Sequence, residues 1–295
     1  MTAVVSFVDL HWLNRPEAIS AWVIPTQEGP VLIDPGPAST LPALHDGLRS
    51  LGWTVEDLAA VLLTHIHLDH AAAAGDLAAL NIPVHVHPVG ERHMLDPSRL
   101  MASANKIYGD QLPHLFGTMR PVTPNLLHVL DLSGTFTIGG VSFKAHETLG
   151  HAKHHVAYEF QHDGTRYLAT GDAAGGFVAE APTFAPAQLP PPDLDLMAWC
   201  HSIDVMEHLE TDQLLVAHFG ACPNPKAHLR RLRESLQRQY HCIREAADPL
   251  HAYRHMLEAE ATEAGVDDPD CMHLRQAAVE MNISGVQHAE RKNHR

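Results

Sequence analysis

A chain of 295 residues, 45% of them apolar, can build one large α/β domain or a domain with an appendage, and holds enough apolar side chains for a core. Its 35 acidic against 20 basic side chains leave a formal charge of −15, which argues against broad attraction to nucleic acid or an anionic membrane. Residues 1–12 lack the pattern of a signal peptide, no apolar run approaches a membrane span, and Cys200, Cys222, Cys242 and Cys271 form no C-x-x-C pair, so the expectation is a cytoplasmic protein with reduced thiols.

In chain order, residues 21–24 and 31–34 read as strands around the turn Gln27-Glu28-Gly29-Pro30. Leu41, Leu44, Leu48 and Leu51 keep helical spacing up to Gly52. Residues 60–63 predict a short buried strand that runs into His65-Ile66-His67-Leu68-Asp69-His70. Period-2 alternation would put His65 and His67 on one side before the chain bends to present Asp69 and His70. A helix over 71–80 and a strand over 83–87 follow. Residues 91–124, with Met94, Met101, Tyr108, Leu115, Phe116 and Met119 among breakers, read as a long connection, as do residues 173–192; such connections are usually functional lids or poorly ordered.

A second set of strands is predicted over 135–138, 141–146, 155–160 and 166–170, with hairpin turns at Gly139-Gly140 and Asp163-Gly164. Residues 193–210 are helical in pattern, and 213–217 form a last strand. Two sheets packed face to face and covered outside by helices satisfy this order, whereas a single doubly wound sheet needs fewer hairpins. After Pro223 the pattern changes: Leu229, Leu232, Leu236, Tyr240 and Ile243 form one helical stripe, and Leu250, Tyr253 and Leu257 begin another. Arg230, Arg231, Arg233 and Arg238 make the first of these helices basic, as either a solvated face or an anion-binding patch. With a further helix in the tail from Asp267, the expected division is a catalytic domain over 1–222 and a helical extension over 223–295. That extension either caps the active site or makes a homodimer contact.

Imidazoles and a carboxylate at the spacing H-x-H-x-D-H are ligands for a divalent metal. The chain holds 25 histidines, so chance must be weighed, yet composition predicts only about one accidental motif per hundred such chains. Isolated histidines, including His11, His45, His85, His87, His93, His114 and His128, read instead as surface or packed residues. Further ligands are expected where predicted strands end beside glycine: His151 in Gly150-His151, Asp172 in Gly171-Asp172 and His218 in His218-Phe219-Gly220.

This ordered set, with Leu32-Ile33-Asp34-Pro35-Gly36 upstream, resembles the metallo-β-lactamase superfamily over about residues 18–222. The resemblance implies a four-layered αβ/βα sandwich with two divalent metal ions at one edge of its sheets. His65, His67 and His151 would hold the first ion, Asp69, His70 and His218 the second, and Asp172 both. His155 matches a supporting histidine of the family's Gly-His-x-x-x-His pattern. Asp34 either orients His67 or His70 or simply forms the turn before Pro35-Gly36. A metal pair lowers the pKa of a shared water toward neutrality, providing hydroxide for attack, and Asp69 is placed to accept or pass a proton.

The expected activity is hydrolysis of a small ester, thioester or lactone. His70 and Asp172 depart from the lactamases that use cysteine in the second site, and Ala173-Ala174-Gly175-Gly176-Phe177 departs from the glutathione-thioester hydrolases. Tyr108 and Phe177, in the two long connections, are the expected substrate contacts. Zinc is the default metal, although the same ligands take iron or manganese. Phosphodiester hydrolysis, including that of RNA, is the enzyme alternative, and a non-catalytic metal sensor or scaffold is the alternative from another class.

Overall fold

Val31, Leu32 and Ile33 lie against Ala60, Val61 and Leu62 in parallel register, and this pairing decides what stands beside the histidine-rich turn. The computed structural model describes residues 4–266 and 276–293; the start of the tail at Asp267, and Cys271, lie outside the described residues. The chain forms two compact units: residues up to Glu147 with Val156–Ala169, and Thr148–His155 with residues from Thr170 onward.

In the first unit β1 (Ser6–Asp9), β2 (Ser20–Ile24), β3 (Val31–Ile33), β4 (Ala60–Leu62), β5 (Val84–Val86) and β6 (Leu127–Val129) form a sheet in that order. The β1–β2 and β2–β3 pairs are antiparallel, and β3 to β6 are parallel. Parallel neighbours need crossovers. Helix α1 (Leu41–Ser50), with Leu44 and Leu48 buried, supplies one between β3 and β4. Two short helices, α2 (Leu68–Ala71) and α3 (Ala74–Ala78), lead to β5 in place of the single helix expected over 71–80. The physical reason is an intrusion by Gly36, whose N–H donates to the His70 carbonyl and whose carbonyl accepts from the Ala73 N–H, both at 3.0 Å. Those two groups are thereby diverted from the helical ladder.

Residues 91–124 are also more regular than expected. They contain α4 (Glu91–Leu95), α5 (Ser98–Tyr108) and α6 (Leu112–Phe116), and bury Met94, Leu112, Phe116, Met119 and Val122. Then β7 (Thr135–Ile138), β8 (Val141–Glu147), β9 (Val156–His162) and the start of β10 (Thr165–Gly176) run as antiparallel hairpins. Within this unit the hairpins meet the first sheet: the Tyr158 hydroxyl donates to the Leu63 carbonyl at 2.8 Å and the Phe136 ring stacks on His85.

In the second unit β10 continues to Gly176 and is followed by α7 (Leu196–His208), β11 (Gln213–His218) and β12 (Gly220–Cys222), with strand order β12-β11-β10. The strand expected to stop at Thr170 therefore carries Asp172 inside it. The run Gly171-Asp172-Ala173-Ala174-Gly175-Gly176 is buried on both faces, so it shows neither alternation nor β-branched residues to mark it as a strand. Helices α8 (Pro225–Glu245), α9 (Pro249–Ala264) and α10 (Gln276–Asn293) pack on one another, and α8 also packs on α7. The stripe Leu229, Leu232, Leu236, Tyr240 and Ile243 is fully buried. Its opposite face is ion-paired: Arg233 meets Asp204, Arg230 lies 3.7 Å from Glu207, and Arg238 lies 2.9 Å from Glu260. The result is a mixed α/β architecture of two sheets and helices, the expected fold class. Among the described residues no helix is long and apolar enough to cross a membrane, and Cys200, Cys222 and Cys242 are free thiols.

Candidate metal centre

Beyond Leu62 the strand ends, so His65 and His67 sit in a turn instead of alternating along a strand, and His67 immediately precedes α2. The parallel register carries β3 one step further: the Asp34 N–H donates to the Leu62 carbonyl at 3.0 Å, which sets the Asp34 side chain beside Thr64. Asp34 is buried, with a left-handed φ of 53°. Its Oδ1 accepts from the Thr64 N–H at 2.8 Å and its Oδ2 from the Thr64 hydroxyl at 2.7 Å. The same Oδ2 accepts from His70 Nδ1 at 2.9 Å.

This carboxylate sets the protons of two histidines. With His70 Nδ1–H committed to Asp34, the His70 Nε2 is an acceptor and can be a ligand. The Thr64 hydroxyl spends its hydrogen on Asp34 and so accepts from His65 Nδ1 at 3.1 Å, leaving His65 Nε2 as the donor atom for metal. His67 Nδ1 lies 3.0 Å from that Nε2. Two nitrogens at metal bonds of about 2.0–2.1 Å stand about 3.3 Å apart when they share one tetrahedral cation, so the observed spacing is within a few tenths of an ångström of the expected chemistry. The donor atoms of His65 and His70, and of Asp69 and His70, lie within 4.8 Å of each other. Asp69 keeps 28% of its side chain exposed, whereas His70 has none exposed.

Tyr108 belongs to this unit too, at the end of α5, with its ring edge against Phe116. Burial, and after it the Asp69 carboxylate, pushes the Tyr108 phenol above its usual range, so it stays protonated and offers a hydrogen-bond donor near Asp69.

The second unit has its own donor set. His151 Nδ1 donates to the Gln188 carbonyl at 3.0 Å, which leaves the lone pair of Nε2, 3.3 Å from Asp172 Oδ2, able to bind a metal. His218 Nε2 stands 3.3 Å from the other oxygen, Asp172 Oδ1. One carboxylate thus offers an oxygen to each of two histidines, and all three side chains are buried. His155 stands behind them: its Nδ1–H donates to the Thr148 hydroxyl at 2.7 Å and its Nε2 accepts the Asp172 N–H at 3.2 Å. His155 therefore holds the backbone of Asp172 with both ring nitrogens engaged. Phe177 exchanges backbone hydrogen bonds around His218, donating to the His218 carbonyl at 2.7 Å and accepting from Phe219, with its ring edge on His228.

Several supporting residues escaped the sequence reading. Trp199 of α7 donates its indole N–H to the Ala173 carbonyl at 2.8 Å and sets its ring edge on His151. Ser202, one turn on, donates to the Leu149 carbonyl at 2.6 Å. Gly150 is required here, because a Cβ would lie 2.3 Å from the Trp199 backbone nitrogen. His228 of α8 donates Nε2–H to the Ala174 carbonyl at 2.8 Å, and burial lowers its pKa to about 4. Only Thr64, adjacent to His65, had a signal in the local motif. Three of the isolated histidines have structural partners: His85 stacks on His128, and His87 Nε2 pairs with Glu147 at 3.1 Å.

Comparison with known proteins places these donors in context. The family model described as the metallo-beta-lactamase superfamily matches residues 14–218. The metallo-beta-lactamase fold-containing protein ST1585 of Sulfurisphaera tokodaii is 24% identical over 230 residues, which cover 76% of this chain and 81% of that protein. Among solved structures, the archaeal superfamily protein ST1585 from Sulfolobus tokodaii superposes with a TM-score of 0.70 at 19% identity, over 97% of this chain and 99% of the other. A metallo-beta-lactamase family protein from Thermus thermophilus gives a TM-score of 0.68 at 17% identity, over 99% and 93% of the two chains. A subclass B3 metallo-beta-lactamase from a soil metagenome library gives 0.54 at 22% identity, over 98% and 92%. At these identities the structural likenesses speak to the fold.

Proposed function

Because the chain belongs to the metallo-beta-lactamase superfamily, we propose that it is a metal-dependent hydrolase with a binuclear centre, acting on a small ester, thioester or lactone. In this reading His65, His67 and His151 would hold one ion, Asp69, His70 and His218 the other, and Asp172 would serve both. The observation that carries it is Asp172, whose two carboxylate oxygens each stand 3.3 Å from a different histidine nitrogen. The preset protons of His65, His70 and His151 add to it, since ring nitrogens held with a lone pair outward favour a cation. When bound, a metal pair supplies Lewis acidity, lowering the pKa of water toward neutrality and polarising a carbonyl oxygen.

The rest of the work falls to side chains. Asp69, partly exposed, accepts a proton at its carboxylate during attack or passes one to the leaving group. Tyr108, held protonated, donates from its hydroxyl to a substrate oxygen. Phe177 supplies an apolar wall. Zinc is the proposed metal, with iron or manganese as substitutes, and the free thiols suit a reducing, cytoplasmic compartment. For phosphodiester hydrolysis the arginines of α8 would be the patch that holds the phosphate. Arg230, Arg233 and Arg238 are already paired with acidic neighbours, which weakens that reading.

The test is an assay of Zn2+-loaded protein on a panel of thioesters, lactones and bis-p-nitrophenyl phosphate. Acyl hydrolysis without phosphodiester turnover is expected. Rapid phosphodiester turnover without acyl hydrolysis would sink the acyl reading, and silence across the panel would favour a non-catalytic metal sensor.

A further inference from the structure

The segment after β10 returns past His151, and its backbone is gripped from the far end of the chain. The His151 Nδ1–H points at the carbonyl of Gln188. On one side of Gln188 the Leu189 N–H donates to Asn282 Oδ1 at 2.7 Å, and on the other the Ala187 carbonyl accepts from Asn282 Nδ2 at 3.2 Å. One primary amide thus brackets the residue whose carbonyl orients the histidine. Asn282 lies on α10, is buried, and is itself held: its Nδ2 also donates to the Tyr253 hydroxyl at 2.7 Å, which donates onward to Gln239 Oε1 at 2.8 Å. The helix approaches this segment closely, since a Cβ on Gly285 would lie 1.7 Å from the Leu189 carbonyl oxygen. A glycine inside a helix costs about 1 kcal/mol, so its place at this contact marks a required approach.

We propose that Asn282 is a positioning residue for the metal centre: it fixes the Gln188 carbonyl, and through it the ring orientation and proton of His151. The C-terminal helix then controls metal affinity without touching metal or substrate. This rests on the reading of His151 as a ligand. The amide suits the task because it supplies one donor and one acceptor in a plane, matching the carbonyl and N–H that flank Gln188. Loss of a partner that orients a ligand costs metal affinity, and a partner one step removed falls at the lower end, about 10-fold.

The experiment uses the full chain and Zn2+, with affinity measured against a chromophoric chelator and the His151 Nδ1–H followed by 15N NMR in metal-stripped protein. Asn282→Ala is expected to weaken Zn2+ binding about 10-fold and to expose the His151 Nδ1–H to exchange with solvent. Tyr253→Phe breaks the same buried network on the side away from Gln188, so it should lower stability while Zn2+ affinity stays within about twofold. Asn282→Ala with wild-type affinity and NMR signal overturns the proposal, as does a Tyr253→Phe loss as large as that of Asn282→Ala. His151→Ala separates the two levels: if it leaves Zn2+ affinity unchanged, the ligand reading itself has failed. Should Asn282→Ala not fold, Asn282→Ser takes its place. The wild type alone also answers by reciprocity: Zn2+ should slow exchange of the Leu189 amide, and an unchanged rate counts against the coupling.

Discussion

Replacing Asp34 by Asn keeps the side chain's shape and removes its charge, which isolates its role behind the histidines. Oδ1 of the new amide can still accept the Thr64 N–H. The group at the other position becomes NH2, facing the Thr64 hydroxyl and His70 Nδ1, which both now donate to Asp34 Oδ2 at 2.7 and 2.9 Å. His70 must then move its proton from Nδ1 to Nε2, the atom assigned to metal, and the Thr64 hydroxyl no longer needs the proton on His65 Nδ1. The two buried charge-assisted hydrogen bonds that Oδ2 accepts give way to neutral ones from the NH2 group, at a cost of about 1.5–3 kcal/mol of stability. Metal affinity should fall roughly 10- to 100-fold, as for other partners that orient ligands. Urea unfolding of metal-stripped protein reads the first quantity, and Zn2+ competition with a chelator reads the second. Lost stability with Zn2+ affinity within about twofold of wild type would refute the argument, and leave Asp34 as a residue that only shapes the turn before Pro35-Gly36.

Three further outcomes are expected. Asp172→Ala should remove metal from the protein, because its oxygens face both His151 and His218; unchanged metal content by elemental analysis would refute the shared-ligand assignment. Tyr108→Phe deletes one hydroxyl donor beside Asp69; hydrolysis should slow about 10-fold, the worth of one hydrogen bond of about 1–1.5 kcal/mol, and an unchanged kcat/KM would remove Tyr108 from the site. His228 binds its proton near pH 4 in the folded chain and near 6.5 unfolded. Between those values the unfolded state holds more protons, so stability falls as pH drops, by up to about 1.4 kcal/mol per pH unit from this site. Urea midpoints of metal-stripped wild type and His228→Gln at pH 7.5 and 5 should therefore differ in slope with pH, and parallel losses would contradict the buried neutral histidine.

The donors themselves were legible because they announce themselves locally. Closely spaced His65, His67, Asp69 and His70 stand in an apolar setting, and His151 follows a glycine while His218 stands two residues before one, so residue type and spacing alone point to metal. Helix α8 was legible from its leucine stripe, since amphipathic periodicity is written in neighbouring residues. The strand through Asp172 was not: its run of small buried residues has no period to read. Nor was the break between α2 and α3, which depends on Gly36 reaching His70 and Ala73 from another element.

The sequence by itself thus determined the family, the fold class and which His and Asp side chains are candidates to bind metal. Tertiary structure decided which nitrogen of His70 and of His151 is presented. That choice lies with partners far along the chain, Asp34 for His70 across 36 residues and Gln188 for His151 across 37. Asn282 meets Leu189 across 93 more. A ring proton goes to whichever acceptor is brought within 3 Å or so, and strand register and helix packing, which local spacing does not encode, bring it there.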